Sequence, residues 1–392
     1  MRMTGTVARG IRAPILKKGD DLAKVVVECV IKASSEEGFE LHDKDVVAVT
    51  ESALARTQGN YATLEQIAAD VREKFPGGEV GIIHPILSRN RFSMLLKGIS
   101  MGVKKLYVQL AYPADEVGNH LMTIDALDAS GFNPSKDEIT EKQYRDTFGE
   151  RVIHPFTGID YIELYREIAP NCEIFLSNDP RHMLAHTKYV IACDIHTRKR
   201  TVRMLNDAGA IKAVSMADIL SKSVMGGGFN PDYGLYGSNM ATEDSVKLFP
   251  RDCGTFVSRV AESLREKTGK HIEVMVYGDG AFKDPVGKIW ELADPVVSPG
   301  YTPGLEGTPN ELKLKHLADT RLTNASGEEA IEMAKKTIAE KSSSLVGSMA
   351  SQGTTPRRYT DLLGSLCDLV SGSGDKGTPI VLVQGYFDNY AD

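Results

Sequence analysis

A regular alternation of apolar runs and helically periodic segments between residues 64 and 110 constrains the fold more than any other feature of this chain. The pattern predicts helix, strand, helix and strand in succession over residues 64–75, 80–83, 93–101 and 105–110. A related unit follows, with strands predicted over 173–176, 189–192 and 213–215 and a helix over 197–207. Because strands that alternate with helices pair in parallel, this part of the chain is predicted to form a largely parallel sheet.

The two ends of the chain carry further helix and strand patterns. A helix is predicted over 20–38 before a strand over 45–50, and another helix over 256–267 before a strand over 272–277. Residues 113–160 are polar and are predicted to be irregular. The predicted fold class is therefore α/β, in two or three domains, because a chain of 392 residues can bury more than one core.

Charge and cysteine content narrow the possible partners and the compartment. With a formal net charge of −7, the chain has no overall basic field for a nucleic acid. Its five cysteines lack C-x-x-C spacing, which argues against a zinc knuckle or a disulfide framework and favours a reducing cytoplasm. No leader follows Met1 and no apolar run approaches about 18 residues, so neither secretion nor membrane insertion is predicted.

A glycine-rich segment from Ser371 to Pro379 combines backbone N–H donors with the charged side chains of Asp375 and Lys376. It precedes the apolar run 380–385, which we interpret as a rigid edge strand, and such a loop can bind phosphate. The chain contains neither G-x-x-x-x-G-K-[ST] nor a G-x-G-x-x-G that opens a helix after a strand, so any nucleotide would be bound in a rarer way. A tight surface loop is the alternative interpretation.

Polar residues also follow two predicted strands, at the position where open α/β sheets bind ligands. After the first strand, Arg56 offers a fork of donors to a phosphate, and a surface ion pair is the alternative. After the second of these strands, predicted over residues 272–277, Asp279 lies between two glycines and is expected to be exposed. Together with Asp284 and Asp375 it is a candidate ligand for Mg²⁺ or Mn²⁺, whereas an Asx turn would also explain it.

Other polar residues have simpler interpretations. Asp20, after Gly19, is predicted to be the N-cap of the first helix. Four histidines lie near predicted loops: His84, His120, His154 and His196. Their spacing matches no zinc-binding pattern.

Taken in order, these segments resemble the coenzyme F-420:L-glutamate ligase (gamma-glutamyl ligase) family. The similarity runs through Pro14–Leu22, Asp45–Thr50 and Arg56–Gly59, and resumes through Tyr233–Asn239, Gly269–Val274, Gly278–Asp279 and Ser371–Gly385. It implies a ligase-like α+β core made of residues 1–59 and 226–392, split by an inserted α/β domain of residues 60–225.

The resemblance also implies which residues form the site. Nucleotide contacts are expected at Ala13, Pro14, Ile15, Leu16, Glu51, Ser52, Arg56, Asn239, Gly372, Ser373, Gly374, Asp375, Lys376 and Gly377. Catalytic roles are expected for Arg56, Asp279 and Lys376, and metal ligation for Asp279, with Asp375 as a substitute ligand; Asp284 is a metal candidate from its position in the sequence alone.

The chain departs from the family pattern at three positions. Tyr236 stands where the family has an aspartate ligand, and Arg56 stands where it has a lysine. Ser373 takes the place of an acid in the terminal loop, with Asp375 two residues away as a substitute.

The activity that the resemblance implies is amide formation between L-glutamate and a carboxylate acceptor, through an acyl phosphate. GTP or ATP would be the co-substrate and Mg²⁺ or Mn²⁺ the metal, in a cytoplasmic homodimer. The acceptor would be a deazaflavin precursor of coenzyme F-420 or a related pterin or folate. A non-catalytic nucleotide- or metal-binding protein, and a kinase or phosphatase with the same metal-nucleotide site, are the alternatives.

The inserted domain is expected to select the acceptor and not to take part in catalysis, because all four candidate phosphate and metal segments lie outside it. Candidate substrate contacts lie in its loops, at Arg89, Asn90, Arg91, Asn119, His120, His196 and Arg198. Solvated loops or oligomer contacts are the alternative for each.

Overall fold

A computed structural model describes residues 3–155, 157–279, 294–323, 325–354, 357–371 and 375–391. Its strands are β1 (Val7–Ile11), β2 (Val46–Thr50), β3 (Tyr61–Thr63), β4 (Glu79–Ile83), β5 (Lys105–Leu110), β6 (Ile139–Thr140), β7 (Cys172–Leu176), β8 (Tyr189–Ala192), β9 (Lys212–Ser215), β10 (Asn239–Thr242), β11 (Ser245–Lys247), β12 (Glu273–Tyr277), β13 (Gly300–Tyr301) and β14 (Ile380–Gln384). Its α-helices are α1 (Leu22–Glu37), α2 (Glu51–Gln58), α3 (Leu64–Lys74), α4 (Phe92–Met101), α5 (Ile124–Ser130), α6 (Glu141–Phe148), α7 (Tyr161–Ile168), α8 (Arg198–Asp207), α9 (Cys253–Thr268), α10 (Leu314–Thr320), α11 (Gly327–Ala339) and α12 (Tyr359–Ser371).

The first sheet, which we call the mixed sheet, joins the two ends of the chain in the order β1-β14-β2-β12-β13. Strands β2 and β12 are parallel, whereas β14 is antiparallel to both of its neighbours. The prediction of an edge strand at residues 380–385 is therefore wrong, because β14 pairs on both sides. Alternate residues supply the two cores that cover the sheet: Ile380 and Leu382 pack with α1 and α9, and Val381 and Val383 pack with α12.

The second sheet, which we call the parallel sheet, has the order β6-β7-β5-β4-β8-β9. All of its pairs are parallel except the short β6, which is antiparallel to β7. Its strands and the connecting α3, α4 and α8 reproduce the alternation read from the sequence, and the predicted α/β class is confirmed.

A third, small sheet with the order β10-β11-β3 connects the two larger ones. Strand β3 follows α2 and leads into α3, and its Tyr61 pairs with Lys247 of β11. Lys247 in turn pairs with Asn239 of β10. Residues on either side of the predicted boundary near residue 60 thus share one hydrogen-bonded sheet.

Two local predictions are corrected by the structure, and one stretch without a predicted secondary structure is defined by it. Residues 113–160 contain α5, β6 and α6, and the capping box that Thr140 and Gln143 form at the start of α6 was readable in the sequence. The polar stretch after β2 is the helix α2, which ends at Gly59 with φ 63°. The N-cap of α1 is Asp21, whose side chain accepts from the Lys24 N–H, whereas Asp20 accepts from the Lys17 N–H.

Within the described ranges, no helix combines the length and the apolar character that a membrane crossing requires.

Candidate active site

The site begins where β2 ends and α2 starts. Glu51 is the first residue of α2, and its side chain is 7% exposed. The Lys247 ammonium lies 3.5 Å from Glu51 Oε1 and donates to Ser52 Oγ at 2.5 Å. Glu51 Oε2 is buried and has no hydrogen-bond partner among the described residues. A carboxylate with one free oxygen therefore lies at the carboxyl end of a central strand.

Burial raises the pKa of Glu51 to about 7, although the nearby charge of Lys247 acts in the opposite direction. The unfolded chain would ionise this carboxyl near its ordinary pKa of 4.5. Between these two values the folded protein binds the proton more tightly than the unfolded chain does. The free energy of unfolding must therefore contain a contribution that is present at acidic pH and is lost as the pH rises toward 7.

We expect Glu51→Gln to remove this contribution. From pH 5 to pH 8, the wild type should lose about 2–3 kcal/mol of stability relative to the variant, because each unit of pKa difference corresponds to about 1.4 kcal/mol. Urea unfolding at several pH values measures the difference. Glu36→Gln is the control, since Glu36 is exposed and pairs with Lys32 on the surface. Parallel pH profiles for the wild type and Glu51→Gln would contradict the expectation.

Asp279 follows β12, the parallel neighbour of β2, and it is not the exposed residue that the sequence predicted. Its side chain is 24% exposed and lies 2.6 Å from Nη2 of Arg91. Nη1 of the same guanidinium lies 2.9 Å from Oδ1 of Asp294. Arg91 belongs to the loop before α4, in the parallel-sheet half of the molecule. An ion-paired cluster that spans both halves thus replaces the predicted exposed turn.

Asp294 completes this cluster from a fully buried position. Its side chain is 0% exposed, and its Oδ2 accepts from the Asp279 N–H at 2.7 Å. A Cβ added to Gly278 would lie 2.3 Å from Oδ2, so only glycine lets the carboxylate approach the backbone here. Steric contact with Asp294 therefore explains why a glycine, Gly278, precedes Asp279.

The charges of this cluster shift the pKa values of Asp279 and Arg91. Burial and the neighbouring Asp294 raise the pKa of Asp279 well above its usual range, and Arg91 only partly opposes this effect. Burial lowers the pKa of Arg91, but the Asp294 and Asp279 carboxylates outweigh it and raise that pKa. Two carboxylates that lie this close together repel each other, and a nearby positive charge stabilises their ionised forms.

The donors at this cluster suit a hard divalent cation. The described residues, which leave out 280–293 and 372–374, contain no group of three or more His, Cys, Asp or Glu side chains placed to hold a metal. Asp279 and Asp294 nevertheless both pair with Arg91, and the Glu51 carboxyl, with its unpartnered oxygen, lies within electrostatic range of Asp294. Mg²⁺ is commonly bound by one or two carboxylates together with water and phosphate oxygens, and these residues fit that pattern.

The segment from Ala13 to Leu16 lies between α2 and the terminal loop. Arg56 Nε donates to the Leu16 carbonyl at 2.7 Å, and the Ala13 N–H donates to the Gly377 carbonyl at 3.1 Å. The Thr50 N–H bonds to the Pro379 carbonyl at 3.0 Å. Three of the segments expected to contact a nucleotide are thus hydrogen-bonded neighbours.

Several expected nucleotide contacts are solvent-exposed. Pro14, Ile15, Asp375 and Lys376 are exposed, and within the described chain neither charged residue of the terminal loop forms an ion pair. Gly372, Ser373 and Gly374, and the expected metal ligand Asp284, lie outside the described residues.

Asn239 and the loop of residues 88–91 are neighbours, and this loop contains Arg91, the arginine that pairs with Asp279 and Asp294. The N–H of Met240, next to Asn239, donates to the Asn90 carbonyl at 2.9 Å. Arg89 and Asn90 have exposed side chains. The candidate substrate loop therefore adjoins the candidate nucleotide residues, although the two are far apart in sequence.

The remaining substrate candidates make contacts within the protein. Asn119 is buried and donates from Nδ2 to Asp115 Oδ2 at 2.8 Å, and His120 Nδ1 lies 3.3 Å from the Met122 carbonyl oxygen. The N–H of His196 donates to Glu116 Oε2 at 3.1 Å. Through these contacts the three residues support their own loops.

Tyr236 and Arg198 form a stacked pair at the end of the parallel sheet. The Tyr236 hydroxyl donates to the Asp194 carbonyl at 2.8 Å, and the ring is buried. The Arg198 guanidinium carbon lies 4.8 Å from the centre of this ring. Tyr236, where the resemblance implied an aspartate ligand, thus packs against the end of β8, whose Ala192 carbonyl lies 3.1 Å from the hydroxyl.

Lys247 and Asp294 are not among the site residues predicted from the sequence. Lys247 lies in a three-residue strand without a motif, and its only signal was a lysine next to apolar neighbours. Asp294 lies fifteen residues after Asp279, directly before Pro295, and belongs to none of the motifs read from the sequence. Arg91 was expected to contact a substrate, and its pairing with the aspartates was not foreseen.

Comparison with known proteins supports the resemblance read from the sequence. A model of the F420-0:gamma-glutamyl ligase family matches residues 10–385, and this range includes residues 60–225. No curated protein matches the chain significantly. Since the family model covers nearly the whole chain, the protein belongs to the F420-0:gamma-glutamyl ligase family.

Proposed function

We propose that this protein uses a nucleotide and a divalent metal to join L-glutamate to a carboxylate acceptor as an amide. Family membership implies gamma-glutamyl ligase activity in F420 biosynthesis. The observation that carries the proposal is the cluster of Glu51, Asp279 and Asp294 with Arg91 and Lys247. It lies at the carboxyl ends of the parallel strands β2 and β12, where α/β sheets bind ligands.

The proposed chemistry has two steps. An acceptor carboxylate oxygen attacks the γ-phosphorus, the nucleoside diphosphate leaves, and an acyl phosphate forms. The amino group of glutamate then attacks the acyl carbon, phosphate leaves, and the nitrogen loses a proton. The acceptor is a deazaflavin precursor of coenzyme F-420 or a related pterin or folate.

The residues of the cluster would contribute position and charge. Phosphoryl transfer depends mainly on alignment and on neutralisation of the phosphate oxygens. Arg91 and Lys247 are buried cations with hydrogen-bond donors, and such groups act more strongly away from water. A divalent cation held by Asp279 and Asp294 would neutralise further phosphate charge.

Arg56 and Lys376 are proposed to contact the phosphates from the exposed side. We expect Arg56→Ala and Lys376→Ala each to raise the KM for the nucleotide about tenfold, because a charge-assisted hydrogen bond contributes about 1.5–3 kcal/mol. Initial rates over a range of nucleotide concentrations measure this effect. Lys24→Ala, on the exposed surface of α1, is the control. An unchanged KM in both variants would place the triphosphate elsewhere.

The proposal is tested with purified protein, Mn²⁺, glutamate, GTP or ATP, and a panel of deazaflavin and pterin acids. Phosphate release that needs both glutamate and an acceptor, together with a product heavier by one glutamyl residue, is the expected result. Phosphate release without glutamate would indicate a phosphatase, whereas nucleoside diphosphate with a phosphorylated acceptor and no free phosphate would indicate a kinase. Nucleotide binding without release in any combination would indicate a binding protein.

We also propose a cytoplasmic homodimer, by analogy with the family. Light scattering on the purified protein would determine its mass in solution.

A further inference from the structure

We propose that Arg91 occupies the place that a divalent cation takes between Asp279 and Asp294, and that the displaced guanidinium then contacts a phosphate of the nucleotide. This inference rests on the proposed function. It assigns Arg91 to the reaction itself, whereas the sequence had suggested a role in acceptor selection.

The geometry of Arg91 is that of a bridge between two carboxylates. Its Nη2 lies 2.6 Å from Asp279 and its Nη1 lies 2.9 Å from Asp294. Arginine frequently directs both prongs of its fork at one carboxylate. Arg181 does so in this protein, with Nε and Nη2 both on Asp179 at 2.9 and 2.6 Å. Arg91 instead joins two separate carboxylates, as a metal ion would.

The charges at the cluster favour an exchange of cations. Glu51, Asp279 and Asp294 bring three negative charges when ionised, against one positive charge each from Arg91 and Lys247. The Arg91 side chain is 17% exposed and Asp294 is 0% exposed, so their charges are poorly screened. A divalent cation between the aspartates supplies more charge than Arg91 does. The guanidinium that it displaces needs a new anion, which the nucleotide phosphate provides.

Hydrogen bonds hold the backbone on both sides of Arg91, so the exchange needs only a side-chain movement. The Arg91 N–H donates to Ser88 Oγ at 2.9 Å, and the neighbouring Asn90 carbonyl accepts from Met240 at 2.9 Å. Arginine carries several rotatable bonds, and its head can move while the loop stays in place.

The test is Mn²⁺ binding to the nucleotide-free protein at pH 8, measured from the free Mn²⁺ signal in electron paramagnetic resonance. Arg91→Gln removes the competing cation, and we expect it to bind Mn²⁺ about tenfold more tightly than the wild type, in line with the loss of charge-assisted hydrogen bonds that the metal otherwise has to break. The same variant should form amide at least about a hundredfold more slowly, because a phosphate contact is missing. Tighter metal binding with slower reaction is a combination that a purely structural arginine would not produce.

Arg145→Gln is the matched control, because Arg145 also makes a two-pronged contact with a buried aspartate, Asp160. Its Mn²⁺ affinity should equal that of the wild type. If Arg91→Gln does not fold, Arg91→Lys replaces it; a lysine bridges less well, and its Mn²⁺ affinity should rise by a smaller factor.

Equal or weaker Mn²⁺ binding by the Arg91 variant, or no Mn²⁺ bound by any form, would overturn the inference. Failure of the proposed function looks different. In that case the Arg91 variant would still bind Mn²⁺ more tightly, while the wild type would form no amide with any acceptor.

Discussion

Asp279→Asn is expected to lower the rate of amide formation by at least about a hundredfold while the fold is retained, because the loss of one negative charge weakens electrostatic stabilisation where it acts most strongly. Asparagine keeps the size of the side chain and one oxygen. Asp279 sits at the carboxyl end of β12, opposite Arg91, and not in either hydrophobic core of the mixed sheet. The change therefore removes charge from the site without opening a cavity.

Steady-state rates and thermal unfolding of the same preparation separate the two effects. The unfolding temperature of Asp279→Asn should remain within about 2 °C of the wild type, because a change of about 1 kcal/mol shifts it by no more than that in a chain of 392 residues. Asp179→Asn is the control, since Asp179 also pairs with an arginine but after a strand of the parallel sheet. Wild-type turnover by Asp279→Asn would remove Asp279 from the mechanism.

Lys247→Met is expected to affect both stability and activity. Its ammonium is the cation nearest to the buried Glu51 carboxylate, at 3.5 Å. Removing one partner of a buried ion pair costs about 3–5 kcal/mol, because the other charge stays buried without compensation. Here the raised pKa of Glu51 moderates the cost, because the carboxyl can take up a proton near neutral pH. We expect a loss of about 2–4 kcal/mol at pH 8, and less at pH 6.

The double variant Glu51→Gln with Lys247→Met separates the two roles of the lysine. It should recover most of the lost stability, because neither charge remains, but it should stay at least about a hundredfold less active if Lys247 stabilises a phosphate. Urea unfolding and amide formation are the two measurements. Lys105→Met is the control, since Lys105 makes an exposed pair with Glu173. Recovery of both stability and activity in the double variant would reduce Lys247 to a packing role.

Much of the site could be read from the sequence because its residues follow strands. The predicted strand 45–50 led to Arg56, the predicted strand 272–277 led to Asp279, and the family resemblance added Glu51 and Ser52. Strand periodicity is a local property, and the carboxyl end of a parallel strand is a general position for ligands. The residues that were missed carry no such marker: Lys247 and Asp294 reach the site only through pairing and packing with distant segments.

The sequence by itself determined the α/β class, the order of the main helices and strands, and the family, because these follow from local periodicity and from short motifs in a fixed order. Only the tertiary structure decided which charges share the site. It made β14 an inner strand, turned Asp279 toward Arg91, and brought Lys247 to Glu51 across 196 positions of sequence. Those contacts depend on the free energy of burying and pairing charges after the two sheets have packed, and no local pattern encodes that quantity.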